Sequence, residues 1–230
     1  MAELEEKDFP SDLFDNPAYY DPPPPPPTEL TRTLHDGSEV QLRLVGSHPL
    51  WAHYLWNAAP TMATYLQENA ERYVRGRAVL EIGAGAGLPS IAAERSGASH
   101  VVSSDYPDPD VVQNLAYNLE RNHCTRSVAV GYVWGRDAEP LRKFVPNGFD
   151  LVLMSDLIFN HQAHSAMLDT LEACLAREPE RRACALVFFS HHRPHLQDKD
   201  MAFFALARAR GLACRAIDAW RVEVSGFRSH

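Results

Sequence analysis

A chain of 230 residues has room for one well-buried domain, since single cores begin to split only beyond about 250 residues. Its 22 Lys and Arg against 30 Asp and Glu give a formal charge of −8, which excludes a dedicated nucleic-acid binder, whose phosphate contacts need clustered cations, and suits a basic partner instead. No apolar run approaches the roughly 18 residues of a membrane helix, and the first ten residues are acidic where a signal peptide is basic and then apolar, so a soluble cytoplasmic protein without membrane contact is expected.

Residues 1–28 are acidic and proline-rich, ending in the run Pro22 to Pro27, and read as a flexible arm; residues 29–230 are left for the domain. The stretch "LTRTLHDGSEVQLRLVG" sets Asp36-Gly37, a two-residue hairpin signal, between two alternating segments, so an N-terminal hairpin opens the domain. His48 to Tyr73 is helix-like and aromatic (Trp51, Tyr54, Trp56, Tyr65), with Pro60 expected to break it in two. Short apolar runs follow at Ala78 to Ile82, His100 to Ser104, Ser127 to Tyr132, Phe149 to Met154 and Ala183 to Phe189, separated by helical stretches such as Asp110 to Asn122 and Gln162 to Arg177. Continuous apolar strands joined by helices predict an α/β fold: a doubly wound, mostly parallel sheet covered on both faces, with ligands at the carboxyl ends of the strands. The closing "WRVEVSGFRSH" leaves a shortened C-terminal strand or none. Cys124, Cys174, Cys184 and Cys214 show no paired spacing and read as reduced, buried thiols.

The stretch "VLEIGAGAGLP" carries Gly83, Gly85 and Gly87 as G-x-G-x-G, whereas a dinucleotide fingerprint wants its third glycine at position 88, which is Leu88; counting from Gly85 instead reaches Ser90. What remains is backbone a nucleoside can approach closely. Asp105, at the end of the next strand, can accept both hydroxyls of a ribose, a feature shared by NAD and S-adenosylmethionine ligands. Pro89 opens the following helix, and no Lys-Ser/Thr pair makes the loop a phosphate cradle. Ser155 and Asp156 end the fourth strand, facing the cleft of this architecture. "SHHRPH" (His191, His192, His195) has a metal-site look, but no carboxylate or thiolate stands beside it in sequence, and no metal is expected.

The segments "VLEIGAGAGLPSIAA", "VVSSDYPDPDVVQNLAYNLERN", "YVWG", "FDLVLMSDLIFNH" and "SHHRPHL" follow one another in the order and spacing of the seven-β-strand protein methyltransferases, and most resemble the fungal ones that act on the N-terminus and a neighbouring lysine of translation elongation factor 1-alpha. That resemblance runs from about Leu55 to Leu196 and implies S-adenosylmethionine as cofactor, an elongation factor 1-alpha substrate and a monomer. It places cofactor contacts at Trp56, Gly83, Ala84, Gly85, Asp105, Trp134 and Ser155. Trp134, just after the third strand, can stack on an adenine, and Trp56 can cover the cofactor from the leading helix. Asp156 is then the candidate catalytic residue, orienting an ammonium before it loses its proton. Phe159, Asn160 and His161 line the amine pocket, and His191 belongs to a loop rimming the substrate cleft. Related lysine methyltransferases carry tyrosine where this chain has Phe159, and they continue through an acidic loop into a final antiparallel strand. Three other readings stand beside this one: a lysine methyltransferase acting on another protein, a nicotinamide oxidoreductase, and a non-catalytic S-adenosylmethionine-binding protein. The oxidoreductase would need a Tyr-x-x-x-Lys or similar, which is not found, and the binding protein would be expected to have lost cofactor residues that are all present.

Overall fold

The computed structural model describes residues 25–46 and 54–217. Most of the expected arm, the start of the aromatic stretch and the C-terminal strand considered after Asp218 lie outside the described residues.

The domain opens with β1 (Thr28–Thr33) and β2 (Glu39–Leu44), an antiparallel pair in which Thr33 faces Glu39. The turn is one residue longer than Asp-Gly alone suggests. Leu34 N–H donates to Ser38 O at 2.8 Å, and Gly37, at φ +81°, takes the left-handed position that closes a three-residue loop. Asp36 Oδ1 accepts from both the N–H and the hydroxyl of Ser38, which fixes the loop in place of a second positive φ.

Helix α1 (Ala58–Glu68) contains Pro60 rather than ending at it, because Pro60 falls in the first turn, where a missing N–H leaves no intrahelical bond unmade. The break comes instead at Asn69, whose φ of −115° separates α1 from α2 (Ala70–Tyr73). Then β3 (Ala78–Ile82), α3 (Leu88–Arg95), β4 (His100–Asp105), α4 (Pro109–Arg121), β5 (Ser127–Gly131), α5 (Glu139–Arg142), β6 (Leu151–Ser155), α6 (His164–Cys174), β7 (Cys184–Phe188) and α7 (Gln197–Ala209) complete the described elements. Helix α6 stops short of the predicted Arg177 because Leu175 turns extended and bridges to Phe149, which for the same reason stands before β6 and not in it.

Among the described residues the larger sheet has the order β5-β4-β3-β6-β7, with every neighbouring pair parallel. Alternate side chains of a strand face opposite layers. Val79, Val101, Leu151 and Leu153 accordingly pack under α1 and α3 with Met62, Leu66 and Ala93. Leu80, Ile82, Val152 and Met154 pack on the other face with Met167, Leu168 and Phe203 of α6 and α7. The strand order reverses between β3 and β6, and a crevice at their carboxyl ends is where such a sheet receives a ligand.

The hairpin is held against α4 by a ladder of asparagines spaced one helical turn apart. Asn118 Oδ1 accepts from Arg43 N–H at 2.8 Å while the Asn114 and Asn118 amides donate to Arg43 O, and Asn122 trades the same two bonds with Gln41. The side-chain amides thereby satisfy a strand edge that has no further strand beside it among the described residues. All four cysteines are free, and burial pushes the Cys174 thiol up to about 11 and the Cys124 thiol to about 12, out of the reactive range at neutral pH.

Candidate active site

Strand β3 ends at Ile82, and the chain turns through three glycines in the left-handed region, Gly83 at φ +64°, Gly85 at +54° and Gly87 at +79°. Gly83 is fixed by space as well as by φ: a Cβ there would stand 2.6 Å from Leu157 Cδ2 and 3.1 Å from Trp134 Cζ2. The ring of Trp134 and the turn out of β6 are thus both pressed on the first step of the loop. Gly85 differs, since nothing lies within 4 Å of where its Cβ would be, so the loop presents bare backbone on that side. Ala84, buried between them, donates its N–H to Ser104 O at 3.0 Å and keeps the turn against β4.

Asp105, at the last position of β4, reaches across to this loop. Its Oδ2 accepts from Gly85 N–H and its Oδ1 from Tyr106 N–H, both at 2.7 Å. Each oxygen of a carboxylate can accept more than one bond, so the anchored group still has capacity for ribose hydroxyls. Beneath the loop Glu81 is buried and accepts from both the N–H and the hydroxyl of Ser90, at 2.9 and 2.6 Å, while Ser90 Oγ donates or accepts at 2.8 Å with Ser103. Complete burial pushes its carboxyl up to about 8 against the opposing pull of the Ser90 hydrogen bonds, so at pH 7 it is a neutral acid clamping the start of α3 to the sheet. Sequence reasoning passed over Glu81; the signal was a single acid inside an otherwise apolar run.

On the β6 side, Ser155 Oγ is buried with no hydrogen-bond partner. Asp156 follows in the left-handed region at φ +52°, a position that Asp tolerates better than most residues but that still marks strain. Its Oδ1 accepts from Ser190 N–H at 2.8 Å and faces His192 Nε2 at 3.2 Å, and its Oδ2 reaches Ala58 N–H at 3.4 Å. One carboxylate therefore joins the ends of β6 and β7 to the start of α1.

Beside Asp156, four rings gather. His192 lies edge-on to Trp56 at 4.8 Å between centroids and to Phe159 at 5.7 Å, with Tyr54 a further 5.6 Å from Trp56. Of the residues expected around the amine, Phe159 is in this group. Asn160 is exposed, just before a single 3-10 turn at His161–Ala163. His161 and His191 are brought together elsewhere, on opposite oxygens of Asp200 in α7, each at 2.7 Å. Burial works to raise the Asp200 carboxyl, but the hydrogen bonds from the two imidazoles outweigh it and hold it below the ordinary carboxylate range. Two of the "SHHRPH" histidines, His191 and His192, thus do have carboxylate partners, contributed by a segment distant in the chain or one helix further on. Among the described residues no group of three or more His, Cys, Asp or Glu could hold a metal ion.

The cofactor candidates divide accordingly: Gly83, Ala84, Gly85, Asp105 and Trp134 meet at the ends of β3, β4 and β5, Ser155 ends β6, and Trp56 stands beside His192. The loop's open backbone, the anchored carboxylate and the partnerless hydroxyl fit a nucleoside-containing cofactor.

A family model described as lysine methyltransferase matches residues 37–210. The protein N-terminal and lysine N-methyltransferase efm7 of Schizosaccharomyces pombe is 42% identical over 215 residues, covering 89% of this chain and 83% of that protein. Its namesake from Neurospora crassa is 43% identical over 213 residues, covering 86% and 74%. Among solved structures, the Thermus thermophilus 16S rRNA N2 G1207 methyltransferase, bound to AdoMet and guanosine, superposes with a TM-score of 0.51 at 21% identity over 77% of this chain and 47% of its own, a likeness of fold. With a matching family model across most of its length and relatives above 40% identity, the chain belongs to the lysine methyltransferase family and is a protein methyltransferase with a Rossmann-like domain.

Proposed function

We propose that this protein uses S-adenosylmethionine to methylate the N-terminal amine, the adjacent lysine, or both, of translation elongation factor 1-alpha in the cytoplasm. The observation that carries the cofactor half is the Asp105 carboxylate bonded to Gly85 N–H beside the tight Gly83 step, a cradle for a ribose at the end of a parallel sheet. In this reading Asp105 takes the ribose hydroxyls, Trp134 stacks on the adenine, and Ser155 Oγ finds its missing partner on the cofactor. The bound cofactor supplies an electrophilic methyl on a sulfonium. The protein holds an uncharged amine in line with that methyl and keeps water out, and Asp156 provides negative charge where an ammonium must first settle. The choice of substrate follows from the resemblance in the sequence motifs and from relatives named for N-terminal and lysine methylation. It also accords with the formal charge of −8, suited to a basic partner.

Mass spectrometry of elongation factor 1-alpha from cells lacking this protein tests the substrate: its N-terminal peptide is expected without methylation, and methylation intact would reject the assignment. Thermal stabilisation by S-adenosylhomocysteine but not by NAD tests the cofactor. Transfer to the purified factor should slow as salt rises, because exposed charges are screened beyond about 8 Å at physiological ionic strength.

A further inference from the structure

His192 sits on the loop after β7 with its Nε2 against the buried Asp156 and its ring between Trp56 and Phe159. A carboxylate facing Nε2 selects the neutral tautomer that carries its proton there, which leaves the basic lone pair on Nδ1. The histidine side chain is 27% exposed whereas that of Asp156 is 1% exposed. Asp156 therefore meets an incoming amine through the imidazole and not directly, its own oxygens being committed to Ser190, Ala58 and the ring. An accessible imidazole anchored on one nitrogen by a buried acid is the arrangement of a general base.

We propose that His192, held by Asp156, receives the proton that the substrate's ammonium must give up before methyl transfer. The balance is simple. The ammonium N–H bond breaks toward His192 Nδ1, leaving a neutral amine and an imidazolium. The amine lone pair then forms the new N–C bond as the C–S bond of the sulfonium breaks and its electrons stay on sulfur, and the imidazolium later returns its proton to water. The charged groups around the ring bear on its basicity from three elements. The hydrogen bond from Asp156 at the end of β6 raises it most, burial opposes, Asp200 of α7 adds to the rise while itself held by His161 and His191, and Arg193 on the same loop lowers it. The net effect lifts the ring above its ordinary value.

The inference rests on the cleft being the methyl-transfer site, and the experiment separates the two. Initial rates of tritiated methyl transfer to protein N-termini of a cell lysate, which need no assumption about the substrate, are measured against pH for the wild type and His192→Gln, with calorimetry of S-adenosylhomocysteine alongside. The variant is expected to lose up to about tenfold at pH 7, where only roughly a tenth of an α-amine is neutral unaided, and to come within about twofold of the wild type by pH 9.5, where nearly all of it is. A loss equal at every pH, or no loss at pH 7, overturns the proposal. If the variant does not fold, the wild type decides: the titration of the His192 ring followed by NMR with S-adenosylhomocysteine bound should coincide with the acid limb of the rate, and a separation of more than about one pH unit overturns it. Failure of the wild type to bind S-adenosylhomocysteine would instead reject the cofactor reading above.

Discussion

On the β3–β4 side of the cleft the chain works mainly with backbone, through three left-handed glycines, a Cβ-free step under Trp134, and one carboxylate tied to a loop N–H. On the β6–β7 side it works with ionisable side chains in pairs, His192 on Asp156 and His161 with His191 on Asp200, under a group of aromatic rings. In the proposed function the difference follows from what each side handles. A nucleoside keeps one shape and charge, so a rigid turn can be pre-formed for it. An amine must change charge during the reaction, and that requires groups whose own protonation can answer it.

The comparison breaks most sharply at Asp156. Asp156→Asn keeps the side-chain volume, an acceptor for Ser190 N–H and a residue type that tolerates the positive φ, so the fold should survive. Transfer is expected to fall by about 100-fold or more while S-adenosylhomocysteine binding stays within about tenfold. If the affinity falls as far as the rate, the two sides are one unit and the division fails.

Glu81 tests whether the cofactor side is as weakly charged as it looks. Its folded carboxyl lies near about 8, raised above the unfolded value, so its neutral form stabilises the fold fully at low pH, and that contribution is lost as pH rises through about 8. Across roughly pH 5 to 8 the wild type should therefore lose stability against Glu81→Gln by about 1.4 kcal/mol per pH unit, read from thermal melts of both. Parallel curves would mean that Glu81 is charged in the fold and the contrast is weaker than drawn.

Asp105 is the exception on that side, an ion amid backbone. Asp105→Ala should weaken S-adenosylhomocysteine by about 2 to 4 kcal/mol, counting roughly 1.5 to 3 for each charge-assisted hydrogen bond with imperfect additivity. Unchanged affinity by calorimetry would take the ribose away from this residue.

The cofactor side was the more legible of the two in the sequence, for the same physical reason that it is rigid. Gly83, Gly85 and Gly87 are local to one turn, and Asp105 is one strand away, so spacing alone brings them together. The sheet was legible because largely apolar strands such as Ala78 to Ile82, buried along their whole length, show no solvent-facing alternation. Strand ends shifted by a residue or two, and Pro60 misled because its effect depends on where the helix starts, and the N-cap residue Asn57 makes no side-chain capping bond there. The pairing of His192 with Asp156 joins segments far apart in the chain, and Asp200 stands on a helix that gave no sign of facing the loop before it. Such contacts are properties of packing, and histidines on a loop offer several chemistries until their partners are in place.

The smallest effect falls on the element that belongs partly to both the ligand and the core. Trp134 is half-buried, packed against the larger core cluster and against the Gly83 step. Trp134→Ala removes a stacking face worth about 1 to 3 kcal/mol per base and also some core packing, so its effect on the ligand has to be separated from its effect on the fold. Trp134→Phe keeps an aromatic face of smaller area. If the indole stacks on adenine, affinity for S-adenosylhomocysteine should fall in the order Trp, Phe, Ala, with Phe within about 1 kcal/mol of the wild type, whereas affinity for a ligand lacking the base, such as methionine, should be the same in all three. Equal affinities for S-adenosylhomocysteine across the series, with only the melting temperature changing, would assign Trp134 to the core and leave the adenine to be held by the loop alone.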